Sequence, residues 1–268
     1  LIGQMLGGAA GLSLSGALAA WFGWRAIFIV LGVLFIVIAA LLGRELRRNE
    51  PLRLDGDRSV TIANALRRMA GLLLRPWARV ILLVVAIECA LSMGVFAYVA
   101  WDLQHRHGVS LALSGLWIVA YPAGGLLYAT FSAPLVARLG EPGLALAGGL
   151  LIGAGYLCLL LAPAALVVLP GLLAVGIGFA MLHNTLQVNA TQMAPEARGA
   201  AVSLFAFCLF TSQSAGIAVV GRVIDAAGIW PAYLAAALGL PLLALEFRRR
   251  LQHKARAAEA SGTATGSA

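Results

Sequence analysis

Long apolar runs separated by short polar turns dominate the pattern along the chain. A bilayer core of about 30 Å takes roughly 17 to 25 apolar residues in helical form. Eight segments meet or approach that length: Leu1 to Ala20, Ala26 to Leu42, Val80 to Trp101, Ser110 to Val136, Leu144 to Ala162, Leu166 to Met193, Ala200 to Val220 and Pro231 to Leu245. The pattern predicts an all-α integral membrane protein with about eight transmembrane helices. One stretch interrupts it. From Gly43 to Arg79 the chain carries nine arginines against only Glu45, Glu50, Asp55 and Asp57. Inside that stretch Val60, Ile62, Ala63, Leu66, Met69, Ala70 and Leu73 recur at near-helical spacing opposite Arg67 and Arg68. This predicts a short amphipathic helix at the membrane surface, ended by Pro76.

The pattern divides the chain into two helices over 1–42, a basic loop over 43–79, a six-helix bundle over 80–247 and a tail over 248–268. Arginine and lysine near span ends resist translocation and orient the protein. With the basic loop in the cytoplasm, alternation puts 16 of the basic residues on that side and only Arg25, Arg106 and Arg222 on the other. The C-terminus is therefore expected inside. The last residues, Ala257 to Ala268, are Ala, Ser, Gly and Thr with one Glu, and are expected to be disordered.

Composition supports the same class. With 61% hydrophobic and 11% charged residues and a mean hydropathy of +0.92, the chain is too apolar for a soluble domain. The net charge of +8 sits where topology demands it, so nucleic-acid binding is not expected. Cys89, Cys158 and Cys208 fall inside apolar segments at no metal or redox spacing. The chain opens on Leu1 within an apolar, Gly-rich run and without a basic leader, which reads as the later part of a longer chain rather than a signal peptide.

Several residues carry candidate chemistry. Glu88 lies near the middle of its span, where an ionised group is costly and usually marks a proton or ion route. His183, Asn184, Gln187, Asn189, Thr191 and Gln192 end the sixth span with an unusual polar density. They line a cavity or lie beyond the hydrocarbon, and the sequence leaves both open. Tyr121 and Tyr128 in the fourth span, and Thr211 and Gln213 in the seventh, are further cavity candidates for an amphiphilic substrate. Helix packing is the competing account. Gly3, Gly7 and Gly11 recur at four-residue spacing with Gly8 beside them, the pattern of a close helix contact. No acid or second histidine lies near His183 in sequence, so no metal site is expected. There is no phosphate-binding glycine loop and no nucleophile triad, which argues against an enzyme or an ATP-driven pump. No cofactor is expected.

Gly3, Gly7 and Gly11 resemble the Gly-rich motif of helix five in antiporters of the major facilitator superfamily, with Gly8 where Pro is usual. Gly23, Trp24 and Arg25, followed by Phe28, resemble the G-W-R-x-x-F turn after that helix in drug:proton antiporters. Pro195, Arg198 and Gly199 resemble the P-x-x-R-G turn between helices ten and eleven. Arg138 and Gly140 resemble the loop between helices eight and nine. The resemblance implies that the eight segments are helices five to twelve of a twelve-helix fold that lacks its first four here. It further implies proton-coupled export of small amphiphilic or cationic molecules by alternating access; Glu88, read from its depth in the span, either couples protons to that transport or is a permanently protonated, hydrogen-bonded structural acid. The expected partners are the substrate, protons and the bilayer. The expected setting is a multi-pass protein of the plasma membrane, the bacterial inner membrane, monomeric when complete. A proton symporter importing sugars or organic acids, and an inactive membrane scaffold fragment, are the alternatives.

Overall fold

The computed structural model describes residues 7, 10–11, 14–16, 18–19, 21–48 and 62–265, with side chains of the last range except at 62–63, 65–66, 68 and 258–265. Nine helices follow Gly23 among the described residues: α1 Trp24–Arg48, α2 Ile62–Leu72, α3 Pro76–Phe96, α4 Val99–His107, α5 Leu111–Ile118, α6 Ala120–Leu161, α7 Val168–Gln192, α8 Arg198–Ala227 and α9 Trp230–Thr265. No strand occurs among the described residues, as the apolar pattern predicts.

Six helical stretches are long and apolar enough to cross a bilayer: Arg25–Arg48, Pro76–His107, Leu111–Leu161, Ala165–Gln192, Pro195–Ala227 and Trp230–Ala257. The third has 51 residues, enough for two crossings. It divides at Gly140, whose φ of 62° and ψ of 175° break α6, and Pro142 follows at once. The described residues thus hold seven of the eight expected spans. Only parts of the first, Leu1 to Ala20, are described.

Local chemistry explains most boundaries. Pro76 does not end the amphipathic helix, as the sequence suggests. That helix stops at Leu72, and Pro76 occupies the first turn of α3, where its missing N–H costs nothing. Gly108, with φ 66°, closes α4 by bonding back to Gln104 while Val109 bonds to Leu103. Ser110 caps α5 by accepting from the Leu113 N–H. The second span extends beyond Leu42 to Arg48, because Arg, Glu and Leu continue a helix readily. The tail also departs from expectation. α9 runs to Thr265, since Ala, Arg, Lys and Gln prolong an anchored helix without a new nucleation cost.

Between membrane helices there is little hydrophobic drive, so small residues that let backbones meet become the main adhesive. A Cβ on Gly176 of α7 would lie 1.9 Å from the Tyr121 carbonyl oxygen, and one on Gly124 would lie 2.3 Å from that of Leu173. Beyond the break, Gly148 faces Gly178 and Gly155 faces Gly171, so both halves of α6 close on α7. Gly149 and Gly153 meet α9 at Leu240, Ala237 and Pro241, and Gly94 of α3 meets Gly216 of α8. The glycine stripe singled out near the N-terminus behaves differently. Gly7 and Gly11 have open space around them, and Gly3 and Gly8 lie outside the described residues. None of the residues of α1 is buried.

A knot of polar side chains ties one end of the bundle. Asp102 of α4 is 1% exposed and accepts from the Tyr233 hydroxyl of α9 at 3.0 Å. Arg106 pairs with Asp102 at 3.2 Å and donates to the Leu159 and Leu160 carbonyls at the end of α6. At the opposite end Arg75 pairs with Glu196 and reaches the Met193 carbonyl.

Replacing Gly176 by Ala should lower the stability of the detergent-solubilised protein by about 1–3 kcal/mol through overpacking. Gly115→Ala, where a Cβ meets nothing within 4 Å, should not lower the thermal midpoint and should raise it slightly.

Candidate functional site

Along α3 the buried positions Ile81, Val85, Glu88, Ser92 and Val95 recur at helical spacing. Glu88 is therefore carried on the face turned into the bundle, and it is 0% exposed. α7 is buried around most of its circumference and brings His183, 7% exposed, to the same depth. His183 Nδ1 lies 2.9 Å from Glu88 Oε2. The Phe179 ring stacks on the imidazole at 4.8 Å and 10°, and Phe205 of α8 leans on it at 5.7 Å. Aromatic walls and the glycine contacts thus hold a carboxyl and an imidazole in direct contact, away from solvent.

Burial of an ion without a partner costs several kcal/mol, so such groups are paired or neutral. Oε2 meets His183 Nδ1 and, at 4.0 Å, accepts from the Cys89 thiol, but Oε1 is buried with no partner among the described residues. Ser92 Oγ is in the same position. The pair shares at least one proton, either as carboxylic acid donating to imidazole or as imidazole N–H donating to carboxylate. Removing that proton leaves a net negative charge, and adding one leaves a positive charge.

Sequence spacing gave no reason to join these residues, which are 95 positions apart. The fold also places Cys89 beside them. Ligand atoms of Glu88, Cys89 and His183 lie within 4.8 Å of one another, close enough to hold a metal ion. The acid and thiol that the sequence lacked near His183 are thus supplied by α3.

Other candidates scatter. Tyr121 lies near the pair: its ring sits 6.0 Å from Phe179 and 4.4 Å from Phe96, and its hydroxyl points at Met93 Sδ at 3.8 Å. Tyr128, 1% exposed, belongs to a separate small cluster with Leu144, Ala180 and Met181, and its hydroxyl has no partner among the described residues. Asn184 and Gln213 are half-buried, and Gln187 and Thr211 are exposed. None of the four has a hydrogen bond to the Glu88–His183 pair. Asn189 turns inward instead, donating to Glu141 at 2.9 Å and to the Thr185 carbonyl. Asp102 was missed by sequence reasoning, although Arg106 four residues on signalled a helical pair.

The turn motifs have structural reasons. Gly23 takes φ 79°, a region that favours glycine, between Phe22 and the start of α1. Beside it the Arg25 guanidinium stacks over the Trp24 ring at 4.8 Å. Pro195 opens a 3-10 turn that Arg198 and Gly199 continue into α8. Gly140 is the break in α6, and Arg138 beside it borders an open cavity of about 390 Å³.

Apolar helices of spanning length, with a protonatable pair buried between two of them, define a polytopic α-helical membrane protein with an ionisable centre. The sequence model of the Major Facilitator Superfamily matches residues 1–217 and again residues 81–264. The chain belongs to that superfamily, whose members are secondary transporters of small molecules rather than enzymes. No curated protein matches it.

His183→Leu should lower the thermal midpoint, because a buried hydrogen-bonding carboxyl left without its partner costs about 1–3 kcal/mol. Combining it with Glu88→Leu should restore much of the loss, since the orphaned group is removed too. Additive losses in this double-mutant cycle would show that the two residues do not interact.

Proposed function

We propose that the protein exports small amphiphilic or cationic molecules in exchange for protons, and that Glu88 with His183 is the coupling centre. The observation that carries this reading is the buried pair itself, with one carboxyl oxygen unbonded. In such a setting Coulomb interactions are strong, because low-dielectric surroundings replace water. When the pair holds its one shared proton it is neutral and gives a cation no counter-charge. When the proton leaves, the pair is negative and a cation is drawn to the bundle. Exchange of one for the other keeps the buried charge compensated through the cycle. His183 acts beyond holding Glu88 in place, since it gives the proton a second resting atom.

The glycine-rich N-terminal stripe and the G-W-R turn support the drug:proton antiporter branch, and so export over import. The half-buried Asn184 and Gln213 and the exposed Gln187 and Thr211 offer hydrogen bonds along open faces of α7 and α8. Exposed Phe207 and Phe210 offer apolar surface beside them. That mixture suits an amphiphile. On this reading the helices alternate across the bacterial inner membrane with the basic end in the cytoplasm.

The test is accumulation of a panel of cationic dyes in cells that lack other exporters and express the full protein. Accumulation should fall with the parent protein, and a protonophore or Glu88→Gln should return it to the level of cells without the transporter. Proton-dependent export that survives Glu88→Gln would remove Glu88 from coupling. Accumulation that rises with the proton gradient would instead identify a symporter.

A further inference from the structure

The start of α3 and the end of α9 run side by side at the basic end of the bundle, and a groove opens between them. One part encloses about 440 Å³ and the adjoining part about 320 Å³. Pro76, Val80 and Arg250 border both, so the two parts are continuous. The groove is divided by chemistry along its length. Its bed is Val80, Leu83, Val84, Ile87 and Leu243, with Leu83 63% exposed. From Val80 to Ile87 that bed is about 10 Å long at helical rise. Its rim is Arg79, Arg250 and Lys254, with His253 beside them.

The rim charges are only partly spent. Arg250 Nε is paired with Glu246 at 2.7 Å, the one acid among the described residues that border the groove. Lys254 Nζ sits 4.3 Å over the Trp77 ring, and Arg79 has no side-chain partner among the described residues. Trp77 Nε1 is buried with no acceptor among the described residues, on a ring that borders the groove. Three cations against one paired carboxylate at the rim, with Glu141 acting on Lys254 from beyond it, an unpaired indole N–H and an apolar bed beneath them match one kind of neighbour.

We infer that this groove is a binding site for an anionic phospholipid, with the phosphate held by Arg79, Lys254 and Arg250 and an acyl chain laid along Val80 to Ile87. Basic pockets between membrane helices are suited to anionic headgroups, whereas the ammonium of a zwitterionic choline lipid meets like charge at this rim. The occupant comes from the bilayer rather than from solution because the bed would otherwise expose Leu83 and Ile87 to no purpose in binding a free phosphate. The site rests only on the spanning of a membrane and not on the transport reading.

The test reconstitutes the full protein in nanodiscs containing a small fraction of phosphatidylglycerol brominated on its acyl chains, or of equally brominated phosphatidylcholine. The readout is the tryptophan quenching that disappears in Trp77→Phe. Quenching of Trp77 should favour the glycerol lipid, and Arg79→Ala with Lys254→Ala should reduce that preference by roughly an order of magnitude. Arg249→Ala with Arg256→Ala removes the same charge from residues that do not border the groove, and should keep the preference. The charge-preserving Arg79→Lys with Lys254→Arg should keep it too, and separates loss of charge from loss of fold. Equal quenching by the two lipids, an equal loss in both alanine pairs, or loss in the charge-preserving pair would overturn the site.

Discussion

Backbone meeting backbone is the interaction on which this bundle depends. Lipid tails solvate Leu and Val as well as neighbouring helices do, so side-chain burial alone gives little reason for spans to associate. Gly124, Gly148, Gly155, Gly171, Gly176 and Gly178 remove that difficulty between α6 and α7, and Gly94 with Gly216 removes it between α3 and α8. The central contact follows from these. α7 is set by α6, α3 is set by α8, and His183 and Glu88 meet where the two clamped pairs face each other, with Phe205 of α8 closing the side. The carboxyl and the imidazole need no loop to position them. Rigid spans do it.

Polar groups inside the bundle fall into two kinds. Asp102, Arg106 and Tyr233 satisfy one another and the last carbonyls of α6. Glu88 and Ser92 each keep a buried oxygen without a partner among the described residues. A fully bonded network rigidifies, and one with open positions has room for a proton or a ligand.

Fold class was legible because a lipid solvent leaves a coarse mark: runs of about 20 apolar residues and arginines gathered at one side. Glu88 was legible for the same reason, as a carboxyl where water is absent. Its partner was not. His183 sits in a polar run that reads equally well as wet, and only the approach of α3 to α7 decides that it is buried while Gln187, one turn on, is not. The break at Gly140 was visible as a loop signal, since Gly and Pro punctuate the run. The helical tail was missed because Ala-rich sequence has no apolar face to count, yet it continues a helix that is already nucleated. The role of Pro76 was misplaced by about one helical turn, because proline can follow the end of one helix and begin the next.

The knot at Asp102 has a mechanical consequence. It joins the far ends of α4, α6 and α9 through one carboxylate and one guanidinium, while the opposite end of the bundle is crossed by the exposed pair of Arg75 and Glu196. α9 is tied at its start by the knot. From Trp230 to Arg250 it is about 30 Å long, so a tilt of about 10° at the tied end sweeps the other end through about 5 Å. Gly149 and Gly153 seat the middle of α9 at Ala237, Leu240, Pro241 and Ala244, so these close contacts are what resist such a tilt.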